Sequence, residues 1–444
     1  MIADLAAGLD RHATTSAELT GRALGALAGA VADHHGLAAT LPERAAEAAA
    51  RADRRRGRES EPLLGIPFAV KDIFAAAGAP TTWGSRYFAD QIFARDARVV
   101  RQLVRAGAVL TAKLAMSELA GYGGPSAAGA SLQGSAANPW RPNCYAGGSS
   151  GGSAIAVALD AVPFALGTET AGSVVGPAAL CGVTGFRPTR GRISGDGVLT
   201  LSPTLDKIGV LARTAQDCAT VFDGLRRAGR SEPVRGPRIG IFGDEADDWN
   251  DDIGPALTAA VAEFTALGET VLLERELLGH PTGPLNTIML SEAVFALRAE
   301  LADPAFRLID AGQEAGLRSG AEIPATEYLT ALAARRVTQR AFAAVFARCD
   351  VIVAATRADT ARPLGAGRSG NRASVADRLR GAANLAGLPG VSVPAGLSTR
   401  GLPVGVHIVA ARGNDDLALD LAARYQQGTA HHELRPPSRR GAAA

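Results

Sequence analysis

The sequence predicts an α/β protein: a single large domain on a central, mixed, mostly parallel twisted β-sheet, with helices on both faces. Two observations predict it. From Ala97, the apolar residues Val99, Val100, Leu103 and Val104 recur at helical spacing, and Ala106-Gly107-Ala108 then turns the chain into the apolar run Val109-Leu110-Thr111-Ala112-Lys113. Helix, glycine turn and strand in succession are the connection from which helix-covered sheets are built. The alternation returns later, with a strand at Arg238–Phe242, an amphipathic helix over 255–267 and a strand at Thr270–Leu273. The chain has 444 residues, 47% of them hydrophobic, which is ample for a large buried core. Length alone would allow about three domains of ~150 residues.

In order, residues 5–58 are rich in Ala, Leu, Glu and Arg and read as helices, with a break at Asp33-His34-His35-Gly36. Leu64–Phe74 reads as a buried strand carrying one lysine, Lys71. A lysine inside an apolar strand is costly unless it is neutral or partnered, and a snorkelling lysine at a strand end is the plain alternative. Residues 121–134 form a loop of Gly, Ser and Ala long enough to serve a function. Residues 177–192 read as a turn, a short strand and a further turn. Asp206–Val210 is a strand, Asp217–Leu225 a helix and 229–237 a connector. Helices fill most of 285–348, and Val351–Ala354 is a buried strand. Asn384–Gly390 is a turn-flanked segment before strands at Val391–Val393 and Val404–Val409. A helix over Asp415–Gln426 closes the fold, and the tail from Pro436 is expected to be disordered.

Composition excludes several function classes. Net charge is +2 and only 5% of residues are aromatic, with no basic block, so no nucleic-acid partner is expected. The densest basic cluster, Arg51–Arg58, reads as a solvated helix end. Cys144, Cys181, Cys218 and Cys349 lie far apart with no C-x-x-C pair, which suits a reducing cytoplasm and gives neither a disulfide framework nor a zinc site. No basic-then-apolar leader opens the sequence, and no uncharged apolar run approaches ~20 residues, so no signal peptide and no membrane span are expected. Oligomeric state is open, a homodimer being the commonest arrangement for soluble oligomers.

The chemistry is concentrated between Gly147 and Ser173. Gly147-Gly148-Ser149-Ser150-Gly151-Gly152-Ser153 opens this stretch, and Gly167-Thr168-Glu169-Thr170-Ala171-Gly172-Ser173 closes it. Serines bedded in glycine are hydroxyls held beside exposed N–H groups, the raw material of a nucleophile with an oxyanion hole. A phosphate loop needs a lysine after its glycines, and none follows here. Gly147–Gly151 matches G-x-S-x-G literally, but a nucleophile elbow needs an apolar strand in front, and Pro139-Trp140-Arg141-Pro142-Asn143 is not one. That reading also needs a late histidine, for which only His407, in an apolar strand, and His431-His432, near a ragged tail, are on offer. A Ser–Ser–Lys arrangement uses every odd feature. A lysine whose pKa falls from ~10.4 toward ~7–8 is a competent general base. It would take the proton of Ser149 while Ser149 takes that of Ser173, and neither a metal nor an organic cofactor is required.

These residues resemble the amidase signature family. Gly65-Ile66-Pro67-Phe68-Ala69-Val70-Lys71-Asp72 is similar to its lysine strand. Asn138-Pro139-Trp140 through Ser153 is similar to its signature loop, and Gly167–Ser173 to its nucleophile loop. Gly185-Phe186-Arg187-Pro188-Thr189 with Gly191-Arg192 resembles the run that follows. Ser149 and Ser173 are 24 positions apart, in keeping with the family pattern. The resemblance is strongest over 61–215, is weakest over 238–380, and returns at Gly401-Leu402-Pro403-Val404-Gly405-Val406.

The resemblance implies a single amidase domain over 1–444: N-terminal helices over 1–60, a signature core over 61–229, a divergent helical substrate region over 238–380, and C-terminal strands and a helix over 384–430. It implies an amidohydrolase that cleaves a small carboxamide through an acyl-enzyme on Ser173, with ammonia or an amine released. Ser149 is then the bridging serine beside a cis peptide bond, Lys71 the base, and the backbone N–H groups of Thr170, Ala171, Gly172 and Ser173 the oxyanion hole. Ser150 and Thr168 orient Lys71 and Ser149. Glu169 and Ala171 stand where many members have Asp and Gly. Members that cleave small acidic amides can carry an arginine two or three positions after the nucleophile. Here those positions are Val175 and Gly176, which argues against such substrates unless another cation substitutes. Residues between 285 and 380 are expected to line the pocket. Two other functions stay open, the glutaminase component of a tRNA-dependent amidotransferase and a non-catalytic binding protein on the same fold.

Overall fold

The computed structural model describes residues 1–56, 61–122, 129–226, 229, 236–366 and 374–437. Much of the 121–134 loop, the 229–237 connector and the C-terminal tail, and the end of the Arg51–Arg58 cluster, lie outside the described residues. The N-terminal arm holds helices Ile2–Asp10 (α1), Ser16–Ala26 (α2) and Pro42–Arg55 (α3), with the strand Leu37–Thr40 (β1) before α3. The Thr15 side chain accepts a hydrogen bond from the Glu18 N–H, the capping box that starts α2. Strand β1 breaks the expected all-helical arm. It is short and only partly buried, and it pairs at the sheet edge, so no period-2 pattern announced it.

The core follows: Pro67–Lys71 (β2), Arg98–Arg105 (α4), Val109–Leu114 (β3), Gly151–Ala158 (α5), Phe164–Glu169 (β4), Val175–Cys181 (α6), Thr184–Arg187 (β5), Lys207–Ala212 (β6) and Ala215–Leu225 (α7). The remaining elements are Arg238–Phe242 (β7), Gly254–Thr265 (α8), Glu269–Leu273 (β8), Thr282–Ala296 (α9), Arg298–Ala302 (α10), Ala311–Ser319 (α11), Ala325–Arg348 (α12), Val351–Ala355 (β9), Val375–Ala386 (α13), Gly390–Leu397 (β10), Pro403–Ala410 (β11) and Asp415–Gly428 (α14).

Two segments differ from the sequence reading. Residues 177–181 belong to a helix rather than a turn, because Pro177 sits in its first turn, where a missing N–H breaks no bond. Asn384 lies in the last turns of α13, which Gly387 ends in the left-handed region, so this segment is helix rather than turn.

Among the described residues, eleven strands join one sheet in the order β1-β3-β2-β4-β6-β5-β10-β11-β9-β7-β8. The sheet is mixed, as expected. Its parallel share is smaller than expected: among the described residues β2 runs parallel to β3 and β4, and β7 to β8 and β9, while the central pairs are antiparallel. Short returns such as that from Leu397 to Pro403 permit antiparallel neighbours without a crossover helix. Strands β2, β3, β4, β6, β9 and β11 are buried at every residue, as strands covered on both faces must be.

This register positions the site. Strands β2 and β4 lie side by side, with Phe68 opposite Phe164 and Val70 opposite Leu166, and the two phenylalanine rings stack at 5.3 Å. Their carboxyl ends therefore deliver Lys71 and Thr168 to one spot, the end of a sheet where ligands bind in α/β folds. Among the described residues no helix is long and apolar enough to cross a membrane.

Candidate active site

Lys71 ends β2 and is fully buried, so it does not snorkel. Its Nζ lies 2.7 Å from Ser149 Oγ and 2.8 Å from Thr168 Oγ1. Burial pushes its pKa down to about 7, against the opposing pull of the Asp206 and Glu169 carboxylates. A substantial fraction of this amine is therefore neutral at neutral pH.

Ser149 enters the site from the loop before α5, and its peptide bond to Gly148 is cis. Ser150 hydrogen-bonds both backbone groups of Thr168, accepting from the N–H and donating to the carbonyl, each at 3.3 Å. It therefore holds the residue that holds Lys71, rather than touching Lys71 or Ser149. The loop Thr170–Ser173 lines the same pocket as Ser149. Among the described residues, the N–H groups of Ala171, Gly172 and Ser173 have no acceptor, and no hydrogen bond joins the Ser149 and Ser173 hydroxyls. Gly172 has φ +125°, and a Cβ there would sit 2.5 Å from Arg380 Cδ, so this loop position takes only glycine.

Two acids frame the loop. Glu169 is buried, and its Oε2 accepts the N–H groups of Val174 and Val175 at 2.7 and 2.9 Å, pinning the turn directly after Ser173. Its Oε1 takes Arg187 at 2.7 Å and Asn384 at 2.9 Å. Burial opposes its charge, but Arg187 and the N–H groups outweigh burial and hold its pKa down at about 2. Asp206 accepts the hydroxyls of Thr170 at 2.5 Å and Tyr122 at 2.6 Å on one oxygen, and the N–H groups of Leu201 and Ser202 on the other. Burial raises its pKa. Sequence reasoning noted Glu169 only as a departure and Asp206 only as a strand start. The signal available was an acid set directly before a buried run.

The pocket is a cavity of about 400 Å³. Its wall includes Leu285, Asn286, Met289 and Ser319 from the divergent region, together with Arg357, Arg362 and Arg380. Three guanidinium groups thus reach this wall, while positions 175 and 176 are Val and Gly. His407 does not join the site. It is buried in β11 with both ring nitrogens unpartnered among the described residues, close to Arg187, and burial holds its pKa well below the usual range. The elbow geometry is absent too, since a loop rather than a strand precedes Ser149.

A near-neutral buried amine on a serine hydroxyl, with a second serine at a turn of free N–H groups, is the layout of a serine hydrolase in which lysine replaces histidine. The chain belongs to the amidase signature family: the Amidase family model matches residues 18–237 and 255–419. The chain is 36% identical to the A-type component of the glutamyl-tRNA(Gln) amidotransferase of Methylococcus capsulatus, with 98% of each chain covered. Among solved structures it is similar to the native peptide amidase of Stenotrophomonas maltophilia, at 30% identity and TM-score 0.83 over 98% of both chains. It is also similar to a chain from a complex described as vestigial and as revealing the origins of an s-triazine catabolic enzyme, at 28% identity and TM-score 0.86, covering 98% of this chain and 99% of that one.

Proposed function

We propose that the protein hydrolyses a small linear carboxamide through an acyl-enzyme on Ser173. The observation that carries this reading is the 2.7 Å contact between the buried Lys71 amine and Ser149. Neutral Lys71 accepts the Ser149 proton as Ser149 accepts that of Ser173, and Ser173 Oγ adds to the amide carbonyl carbon. The contact between the two hydroxyls forms in the substrate complex, since catalytic hydrogen bonds commonly tighten there. The carbonyl oxygen, now negative, turns to the N–H groups of Thr170, Ala171, Gly172 and Ser173, each such donor contributing ~3 kcal/mol to transition-state stabilisation. Collapse expels the amine, which takes the proton back from Lys71 through Ser149. A primary amide thus releases ammonia, and water then cleaves the ester by the same relay.

Four unpaired buried cysteines suit a reducing cytoplasm as the place of action. The test is ammonia release over a panel of amides by wild type, Ser173→Ala and Lys71→Ala. Variants as active as wild type would dispose of the mechanism. The 36% identity to a component of a tRNA-dependent amidotransferase favours one second reading, a glutaminase that works within a complex of several chains. Glutaminase activity that arises only with co-purified partner chains would select it.

A further inference from the structure

Helix α9 lines the pocket with Leu285, Asn286, Met289 and Leu290. Further along the same helix, the buried Glu292 grips the loop that precedes β6. Its Oε2 accepts the Ser202 hydroxyl at 2.6 Å and the Thr204 N–H at 3.1 Å, and its Oε1 accepts the hydroxyls of Thr204 at 2.5 Å and Tyr328 at 2.9 Å. Arg335, on α12 with Tyr328, donates to the Thr204 hydroxyl at 2.8 Å. A carboxylate offers only acceptors, and all of these groups donate to it, so the acid ties two helices to one loop. The same loop is tied to Asp206, whose Oδ2 accepts the N–H groups of Leu201 at 3.0 Å and Ser202 at 2.9 Å. Asp206 Oδ1 holds Thr170 and Tyr122, both in the pocket wall. Ser202 thus gives its hydroxyl to one acid and its N–H to the other. A chain of direct hydrogen bonds runs from the divergent region through Glu292, Ser202, Asp206 and Thr170 to the turn that carries Ser173.

We propose that Glu292 is a positioning residue for the reaction: it fixes the 201–206 loop, so that Asp206 holds Thr170 and the N–H groups after it in register with the substrate carbonyl oxygen. This rests on the amidase reading above and adds to it a residue from the divergent region. Among the described residues Glu292 does not line the pocket, so it acts through Asp206 and not on the substrate. Without it the Thr204 N–H and three hydroxyls lose their common acceptor, the loop shifts, and Asp206 shifts with it. A displacement of about 1 Å at the reacting groups is enough to cost about a hundredfold in rate.

The probe is an alkyl fluorophosphonate: Ser173 Oγ bonds to phosphorus, fluoride leaves, and the Ser173 proton passes by way of Ser149 to Lys71. Labelling followed against probe concentration separates the maximal rate, which reads the turn, from the half-saturating concentration, which reads binding. In Glu292→Leu the maximal rate per folded molecule should fall about tenfold to a hundredfold, with half-saturation moved by less than about threefold. Glu292→Gln should stay within about fivefold of the wild-type rate, because its amide oxygen still accepts the Thr204 N–H and its amide nitrogen donates to the hydroxyls of Thr204 and Tyr328. Thr204→Val cuts the same link from the loop side and should slow the rate about tenfold. Should Glu292→Leu fail to fold, Thr204→Val decides alone. Because Glu292 acts through Asp206, adding Glu292→Leu to Asp206→Asn should cost less than about a further threefold. Wild-type maximal rates in Glu292→Leu and Thr204→Val, whatever their melting temperatures, overturn the positioning role while leaving the amidase reading intact. So does a loss confined to half-saturation, a Glu292→Gln as slow as Glu292→Leu, or a full multiplicative loss on top of Asp206→Asn. Failure of Ser173 to label in the wild-type protein overturns the amidase reading and this inference with it.

Discussion

Replacing Glu169 by glutamine keeps the side chain's shape and removes one charge from the turn behind Ser173. The carboxylate's pKa lies at about 2 against an ordinary 4.5, and each unit is worth about 1.4 kcal/mol. The charged form is therefore favoured by about 3 kcal/mol in the folded protein. Arg187, itself fully buried, would be left as an uncompensated cation, which points to the same range of about 3–5 kcal/mol. Because the folded pKa is depressed, this stabilisation is complete above the unfolded value near 4.5 and is lost as pH falls toward about 2. Thermal melting at a fixed scan rate reads the effect. Large chains shift by about 1–2 °C per kcal/mol, extending the trend with size, so Glu169→Gln should melt about 3–10 °C below wild type at pH 7. The deficit should shrink as pH falls from about 4.5 toward 2. A midpoint unchanged at neutral pH, or a deficit that stays constant down to acid pH, would refute the reasoning. Val174 and Val175 would also lose their anionic acceptor, so kcat/KM should drop about tenfold to a hundredfold as the nucleophile turn loosens.

Three further predictions concern the relay and its loop. Asp206→Asn withdraws a negative charge that raises the proton affinity of Lys71, so the acid limb of kcat/KM moves to lower pH; a limb that stays in place or moves up contradicts the assignment. Thr168→Val removes one of the two hydroxyls that accept from the Lys71 amine, at 2.8 Å. Activity should fall about tenfold and the acid limb again move down, whereas a variant matching wild type in rate and pH profile would deny Thr168 its orienting part. Gly172→Ala puts a Cβ 2.5 Å from Arg380 Cδ at φ +125°, so it should fold with a lower melting temperature and lose at least about a hundredfold in activity. Activity within a few fold of wild type would mean that the loop has room that the structure denies it.

The parts of the site legible in the sequence were those with a local signature. A lysine in an apolar strand and serines bedded in glycine break the ordinary rules of composition, so Lys71, Ser149 and Ser173 stood out before any fold was known. The strands at Arg238–Phe242 and Val351–Ala355 were equally visible, because buried strands are short apolar runs with sharp ends. What stayed hidden depends on partners distant in sequence. Glu169 and Asn384 are 215 positions apart, and Asp206 and Tyr122 are 84 apart, so their contacts exist only once the sheet is assembled. Helix α6 was hidden for a different reason. Its seven small and apolar residues carry no helical period, and the carboxylate of Glu169, across the nucleophile turn, takes the N–H groups at its start. The guanidinium groups of Arg357, Arg362 and Arg380 lay unremarked in the divergent region, since a pocket wall built from separate loops and helices leaves no motif.

The central claim is that an uncharged Lys71 draws the proton from Ser173 by way of Ser149. The rate of Ser173 labelling by a fluorophosphonate, followed against pH in wild type and Lys71→Met, tests it most directly. Labelling should rise with pH to half its maximum near the Lys71 pKa of about 7, and the variant should label about a thousandfold more slowly. A rate that is flat across neutral pH, or a Lys71→Met protein that labels as fast as wild type, would contradict the account.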